Sequence, residues 1–600
     1  MQQQKTDWNN LFLFLSLGIL FYLYLTYSNI QQTPSQSVLA KDSITVNKNT
    51  QPEEPVITQT DDIKHTVSLI DTSEQNETIY TINNDVFSLN FSNRGGIISK
   101  VRLNNYVTYD SLPIIFMGSK NSNWSFSYDF EDKKLKNNDI FFNTDINETT
   151  NIKGKEKKTF SFEKSVGDKL ISHEYTVYGN SHYIDYNLYI DGNLESDIGF
   201  KWDMKLKQFE KSISTERNLT TAYYKLKKDD EVDYLSEMSS DLEDDFGDKL
   251  SWIAYKQQFF ASTFINDAGF KSAELEIKVP EDDDAPYLKE IKSKADIDVD
   301  TDKSKHQFPF KLYFGPVEHA ILSESGNDLE NIIPLGWPIF RAVTIYFIAP
   351  TFSFLEKYIG NYGIIILILS ILIKLLVSPL TYKTYISQIK MRVIKPETDA
   401  LKEKYKDDNQ KFSGAQMELY RKAGVNPLSG CLPMLLQMPI LFAMFRFFPS
   451  SIQLRQQGFL WADDLSSYDS ILDLPFDIPF YGAHVSLFTI LMTITSVFYS
   501  RMNSNMMDTG NSQMAKQMKM MQYFLPIMFL GIFNNFSSAL SYYYFLFNIL
   551  SFGQQFILKK FVIDETKIHQ EIKDRQSRPA KKSKFQQKLE KYMKDKGQKK

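Results

Sequence analysis

Apolar and polar positions divide this chain into blocks of different period. Leu11 to Tyr27 is an almost unbroken apolar run behind Lys5, long enough to span a bilayer with help from its flanks. It exceeds the apolar core of a usual signal peptide, and Ser28-Asn29-Ile30-Gln31-Gln32 lacks a small-x-small cleavage pattern. Residues 1–29 are therefore expected to form an uncleaved signal anchor. Residues 30–55, rich in Gln, Ser, Thr, Asn and Pro, predict a linker. From about 56 to 315 the period falls to two, as in Val86-Phe87-Ser88-Leu89-Asn90-Phe91 and in Ile184 to Ile190. Asn93-Arg94-Gly95-Gly96 predicts a tight turn between two strands, since glycine tolerates positive φ. Many short strands with few helical stretches predict a large antiparallel sandwich.

Beyond Gly315-Pro316 the pattern changes. Within a connector over 316–360, Leu335-Gly336-Trp337-Pro338-Ile339-Phe340-Arg341 opens an amphipathic stretch suited to the membrane interface. Apolar runs then predict spans at about 361–380, 430–449, 484–502, 519–536 and 540–558. Inside the fourth, Tyr523 to Phe533 is short and carries Pro526. In the segment 381–427, Ile386, Ile389 and Val393 recur at helical spacing, and Pro396 suits the first turn of a second helix. That segment reads as a helical hairpin. The expected fold class is a polytopic α-helical membrane protein with six transmembrane helices and one large all-β domain outside the bilayer.

Charge orients this layout. The net charge is -5, yet residues 336–600 carry about +14 and residues 1–29 about zero, which leaves about -19 on 30–335. Positive flanks stay cytoplasmic, so the acidic β region and the basic helical region face opposite sides. The hairpin 381–427 holds 10 Lys+Arg against 6 Asp+Glu, and the tail 559–600 holds 15 against 6. The loop 450–483 has Asp463, Asp464, Asp469, Asp473 and Asp477 against Arg455 alone. Six spans with both termini cytoplasmic satisfy all three segments; losing one span would turn the tail outward.

Composition narrows the chemistry. One cysteine excludes a disulfide framework, and seven histidines with no HExxH give no metal motif, so neither metal nor cofactor is expected. No phosphate loop or nucleophile elbow occurs, and an enzyme is not expected. His173-Glu174 with His182 could suggest sugar isomerisation, but histidines on strands are more often structural. The runs Asp229-Asp230-Glu231 and Glu281-Asp282-Asp283-Asp284 lack calcium-loop spacing and read as solvated loops.

Lys374 stands inside the apolar run Ile364 to Val377, where a charge costs a few kcal/mol and marks a candidate site. A snorkelling anchor is the plainer alternative. Ser370 and Ser378, four residues to either side, share its helical face. Other spans carry Gln437, Thr489, Thr493, Thr495, Ser496, Asn534, Asn535, Asn548, Gln554 and Gln555, which suit a hydrated groove or ordinary interhelical bonding. No Asp or Glu lies in any span to relay protons. Seven methionines between Met502 and Met521 suit either a surface for varied apolar partners or interfacial filling.

Gly424-Val425-Asn426-Pro427-Leu428-Ser429-Gly430-Cys431-Leu432-Pro433, continuing to Gln437-Met438-Pro439-Ile440, resembles the signature of the YidC/Oxa/Alb family of membrane protein insertases. Pro379-Leu380-Thr381 with Lys390-Met391-Arg392 and Lys395-Pro396 fits the same pattern, as do Leu312-Tyr313-Phe314-Gly315-Pro316 and Tyr543-Tyr544…Asn548. The resemblance implies six spans, a periplasmic β-supersandwich, a five-helix core over 361–560 and a groove open to lipid and cytoplasm, without nucleotide or cofactor. It implies a substrate groove at Lys374, Ser370, Gln437, Tyr543 and Tyr544, with a cytoplasmic hairpin carrying Lys390, Arg392, Lys395 and Pro396. Lys374 stands where the family usually has arginine, so the charge is kept and the bidentate fork is not. The implied function is insertion and folding of nascent membrane proteins in the bacterial inner membrane, alone or with the Sec translocon. The basic tail 561–600 suggests a ribosome as further partner, and the lipid bilayer is the last. The competing reading, a solute transporter or channel with a periplasmic ligand-binding domain, would usually bring internal repeats, and none is visible. A glycan-binding domain on a membrane anchor would need one span, not six.

Overall fold

The computed structural model describes residues 76–576, apart from 119–120, 131–132, 168, 229–230, 283–284, 406–407, 425–431, 480 and 508–512. The expected signal anchor, the linker, most of the glycine-rich signature, part of each acidic run and the basic tail beyond 576 lie outside the described residues. So do the side chains of most of the methionine-rich stretch.

The period-two region folds as two β-sheets. One has five strands in the order Pro113–Met117, Ile97–Val107, Phe87–Ser92, Ile79–Asn83 and Thr149–Asn151. The other has fourteen, centred on the 19-residue strand Phe260–Lys278, which pairs with Leu250–Lys256, Lys289–Ile297 and Lys305–Pro316. Pairing is antiparallel except between Ile79–Asn83 and Thr149–Asn151. Alternation does what it predicts: Phe87, Leu89 and Phe91 are fully buried while Ser88 and Asn90 are partly exposed. The inward side chains form a largely aromatic core, in which Tyr175 stacks on Tyr186 at 4.7 Å and Phe200 lies 4.4 Å from Phe264. Each such ring contributes about 1.5–3 kcal/mol on burial. Gly95 and Gly96 take φ of +87° and +61° at the predicted turn, and a Cβ on Gly95 would meet Asn138 Oδ1 at 2.8 Å. Only glycine fits both the conformation and the space.

A short helix, α1 (Ile213–Asn218), interrupts the strands. After the sheet come α2 (Pro338–Glu356, with a π-helical stretch at Thr344–Ile348), α3 (Tyr362–Val393), α4 (Lys395–Lys404), α5 (Asn409–Ala423), α6 (Leu432–Ser450), α7 (Leu487–Met507), α8 (Gln513–Asn534), α9 (Ser538–Ile557) and α10 (Glu565–Gln576). Among the described residues, α2 and α3 are long and apolar enough to cross a membrane, and the apolar stretches Leu487–Met502 and Phe524–Asn534 are shorter. α3 continues through Pro379 well past the predicted end at 380, and the predicted hairpin is its C-terminal end together with α4 and α5. Asn361 starts it by accepting the Ile364 amide at 3.1 Å. α2 packs on α6 through Phe340–Phe442 at 5.2 Å and Phe352–Phe447 at 5.4 Å, with Trp337, Ile339, Tyr346 and Phe354 exposed. α10 was not expected from its charged sequence. Ile568 and Ile572, one turn apart, bury against Tyr385, Ile389, Ile394, Tyr420 and Ala423 of α3, the turn after it and α5.

The loop between α6 and α7 is built into the β domain. Ile452 joins the core of the sheets. Arg455, 3% exposed, donates from Nε to Glu210 Oε1 at 2.7 Å and from a terminal nitrogen to the Val107 carbonyl at 2.5 Å. Its guanidinium also lies over the Phe260 ring. Gln258 donates to the Pro449 carbonyl at 3.0 Å, and Lys211 sits 4.4 Å from the Tyr468 ring. Farther along, Leu472–Ile478 and Gly482–Val485 form a two-stranded hairpin.

Candidate functional site

α3 and α9 are joined by a line of polar side chains within otherwise apolar surfaces. Lys374 is half-buried; its Nζ donates to Ser551 Oγ at 2.5 Å and lies 3.7 Å from the centre of the Phe547 ring. Ser551 in turn donates to the Phe547 carbonyl at 2.6 Å. One turn nearer the hairpin, Gln554 Nε2 donates to Ser378 Oγ at 3.1 Å and to Thr381 Oγ1 at 2.8 Å. Toward α7, Asn548 Nδ2 donates to Ser496 Oγ at 2.8 Å and to Thr495 Oγ1 at 3.2 Å. Among the described residues, no carboxylate pairs with Lys374. The ammonium is held by a hydroxyl and a ring face, so its charge is stabilised without being neutralised.

The other expected groove residues are distributed more widely. Ser370 is buried, and its hydroxyl donates to the Ile366 carbonyl of its own helix at 2.7 Å; the structure does not bring it to Lys374. Tyr543 is buried one turn from Phe547, against Phe448 of α6 at 5.8 Å, and Tyr544 packs edge-on to Phe533 of α8 at 5.4 Å. Gln437 is half-buried in α6, and no described hydrogen bond ties it to the Lys374 line. Sequence reasoning missed Ser551 and Phe547. The available signal was the spacing of Ser541, Asn548, Ser551 and Gln554, which follow one another at seven, three and three residues and mark one polar stripe on α9.

At the hairpin, Lys390 Nζ approaches Glu571 of α10 at 3.6 Å. Pro396 occupies the first turn of α4, as its missing N–H predicts, and lines a shallow hollow with Asp399 and Lys402. Arg392 stands in the last turn of α3 and Lys395 opens α4, so the four hairpin residues cluster at one corner.

In the β domain, His173 and Glu174 do not converge. His173 is sealed in the core, with Nδ1 2.8 Å from the Tyr186 hydroxyl, and burial pushes its pKa down to about 3. Glu174, on the opposite strand face, accepts from Asn187 at 3.2 Å. His182 is also buried, with Nδ1 3.1 Å from the Phe314 carbonyl. No sugar-isomerising pair is assembled here.

Similarity to known proteins follows the same two parts. The family described as YidC periplasmic domain matches residues 79–348, and the family described as 60Kd inner membrane protein matches 354–566. A protein of Parabacteroides distasonis named membrane protein insertase YidC is 39% identical over 533 residues, covering 85% of this chain and 82% of its own. Its namesake from Amoebophilus asiaticus is 38% identical, covering 81% of each chain. A solved structure of an active YidC insertase with its first transmembrane domain resolved aligns at 17% identity over 81% of this chain and 95% of that one, with a TM-score of 0.32, too loose a superposition to carry an argument.

Proposed function

The chain belongs to the YidC family of membrane protein insertases, and on that premise we propose that it inserts integral membrane proteins into the bacterial inner membrane and helps them fold. The observation that carries the mechanism is Lys374: a membrane-level cation with a hydroxyl and a ring as partners and no described carboxylate. An apolar segment gains free energy on entering lipid, about 0.8 kcal/mol per buried CH₂, but its polar flank meets a low-dielectric barrier. A wet, positively charged recess between α3 and α9 shortens that crossing and attracts an acidic flank. No fuel is required, because the substrate's own transfer drives the step.

The proposed topology is supported by the ion pair between Arg455 and Glu210. Arg455 ties the loop 450–483 to the β domain, which supports both lying on one side. Between them the chain runs through α2, α3 and α6, so an even number must cross. With α3 and α6 crossing, α2 lies in the interface, as its exposed Trp337 and Tyr346 favour. α7, α8 and α9 then return the chain to the hairpin's side, where α10 meets it. Adding the N-terminal run gives six spans, a periplasmic β domain and cytoplasmic hairpin and tail. On this reading the hairpin receives nascent chains, and the Sec translocon and the ribosome are partners. Expression in cells depleted of their own insertase tests the function: restored growth with protease-protected insertion of a small client is expected, and stable protein without either result overturns it.

A further inference from the structure

We propose that the hairpin Leu472–Ile478/Gly482–Val485 is a lipid anchor that seats its apolar residues in the outer headgroup–acyl boundary beside α8. The inference rests on the reading that α7 and α8 cross the bilayer. Three observations lead to it. Leu472 and Phe476 are 58% and 61% exposed, and Ile471 and Ile478 are exposed as well. In a strand Leu472, Leu474, Phe476 and Ile478 fall at period two, with the exposed Asp473 and Asp477 between them. Between Asp473 and Ile478 the register shifts, so Leu474-Pro475-Phe476 bows out from the shorter partner strand, where a proline's missing donor does no harm.

Second, the hairpin is fixed where the apolar part of α8 ends. Asn534, the last residue of α8, donates to the carbonyls of Tyr481 and His484 at 2.9 and 2.8 Å and accepts the Ser486 amide at 3.0 Å. Asn535 donates to the Tyr481 carbonyl at 3.0 Å. The return strand is therefore clamped to the helix end rather than free in solution.

Third, α8 itself presents apolar side chains outward, with Phe524 and Ile527 exposed. An exposed apolar strand held at the end of that helix continues its apolar surface on the outer side, with Asp473 and Asp477 exposed to water. A bilayer fits this pattern better than a protein partner, because the described strand offers aliphatic and aromatic side chains with only two carboxylates, and no cation, between them.

The test uses the full-length chain in a Cys431→Ser background, reconstituted in vesicles of phosphatidylethanolamine and phosphatidylglycerol. An environment-sensitive fluorophore is attached at Phe476→Cys, Asp477→Cys or Ile527→Cys; Ile527 is an exposed residue within the α8 stretch. At 476 we expect a blue-shifted emission, quenching by lipids spin-labelled near the headgroup, and protection from aqueous iodide about threefold or more greater than at 477. At 527, quenching by lipids labelled deep in the chain is expected. Failure at 527 would overturn the membrane reading of α8 itself. Deep quenching at 527 with free iodide access at 476 would overturn the anchor alone. Protection at 476 from both iodide and labelled lipid would mean that protein covers the patch, and would also overturn it.

Discussion

At Lys374 a single charge decides between two physical roles. If it recruits acidic flanks, a carboxylate about 10 Å away at an effective dielectric of about 20 gains about 1.7 kcal/mol, some fifteen- to twentyfold in occupancy. Lys374→Arg then keeps activity, whereas Lys374→Gln fails mainly on substrates with acidic translocated ends, and Lys374→Glu does worse. The measurement is protease protection of matched substrates differing only in flank charge, normalised to insertase abundance; equal loss on acidic and neutral flanks identifies a mere snorkelling anchor. Outside the bilayer, Glu210 offers a pH test. Burial pushes its pKa up to about 7 against the opposing pull of Arg455, with Glu216 and Asp464 as the nearby acids. A carboxyl raised in the folded state stabilises fully below its ordinary value near 4.5, and that contribution is lost as pH rises through about 7. His173 acts with the opposite slope, losing stability as pH falls below its ordinary 6.5. Comparing wild-type and Glu210→Gln melting curves isolates the first effect: the stability of the wild type minus that of the variant should fall between pH 5 and 8, and a constant difference refutes it. Lys374 was legible in the sequence because a charge interrupts an apolar run. The Arg455–Glu210 pair was not, since 245 residues separate two groups whose local surroundings give no sign of each other.

Elements were legible in proportion to the strength of their period. The alternation of Phe87 to Phe91 and the runs that became α3, α6, α7, α8 and α9 identified most of the fold. α10 escaped because Ile568 and Ile572 stand among eight charged or amide neighbours, and their pairing at i and i+4 matters only once a groove exists to receive them. Replacing both by aspartate removes about 3–6 kcal/mol of apolar burial. Hydrogen exchange over 565–576 should then rise toward the unprotected rate while α9 stays protected; unchanged exchange would mean that packing does not hold the helix. At the other end of α3, a Cβ on Gly363 would lie 2.1 Å from Phe459 Cδ2. Gly363→Val should cost about 1–3 kcal/mol by overpacking, and Phe459→Ala should recover part of that loss in a double-mutant cycle followed by thermal melting. Strict additivity of the two changes would show that the contact is not the cause.

For the molecule as a whole, the proposed topology draws on two observations: the distribution of lysine and arginine along the loops, and the ion pair that joins the β domain to the loop 450–483. In a Cys431→Ser background, an impermeant thiol reagent should label Asp477→Cys and spare Glu403→Cys in cells with a permeabilised outer membrane; labelling of both, or of 403 alone, contradicts the arrangement. Pro379 adds a mechanical property to this layout. α3 is about 48 Å long at about 1.5 Å per residue, and Pro379, lacking the N–H that would reach the Leu375 carbonyl, falls near its middle. The missing hydrogen bond makes this the weakest point of the helix against bending. Its N-terminal arm carries Lys374 and rests on Phe459, while its C-terminal arm carries the hairpin corner and α10. On the proposed function, bending at Pro379 would let the hairpin end swing with an incoming chain while Lys374 keeps its register against Ser551, so that reach and precision would belong to different halves of one helix. Pro379→Ala should weld the halves together, narrowing the distance distribution between spin labels at 364 and 392 without moving its mean by more than a few ångströms.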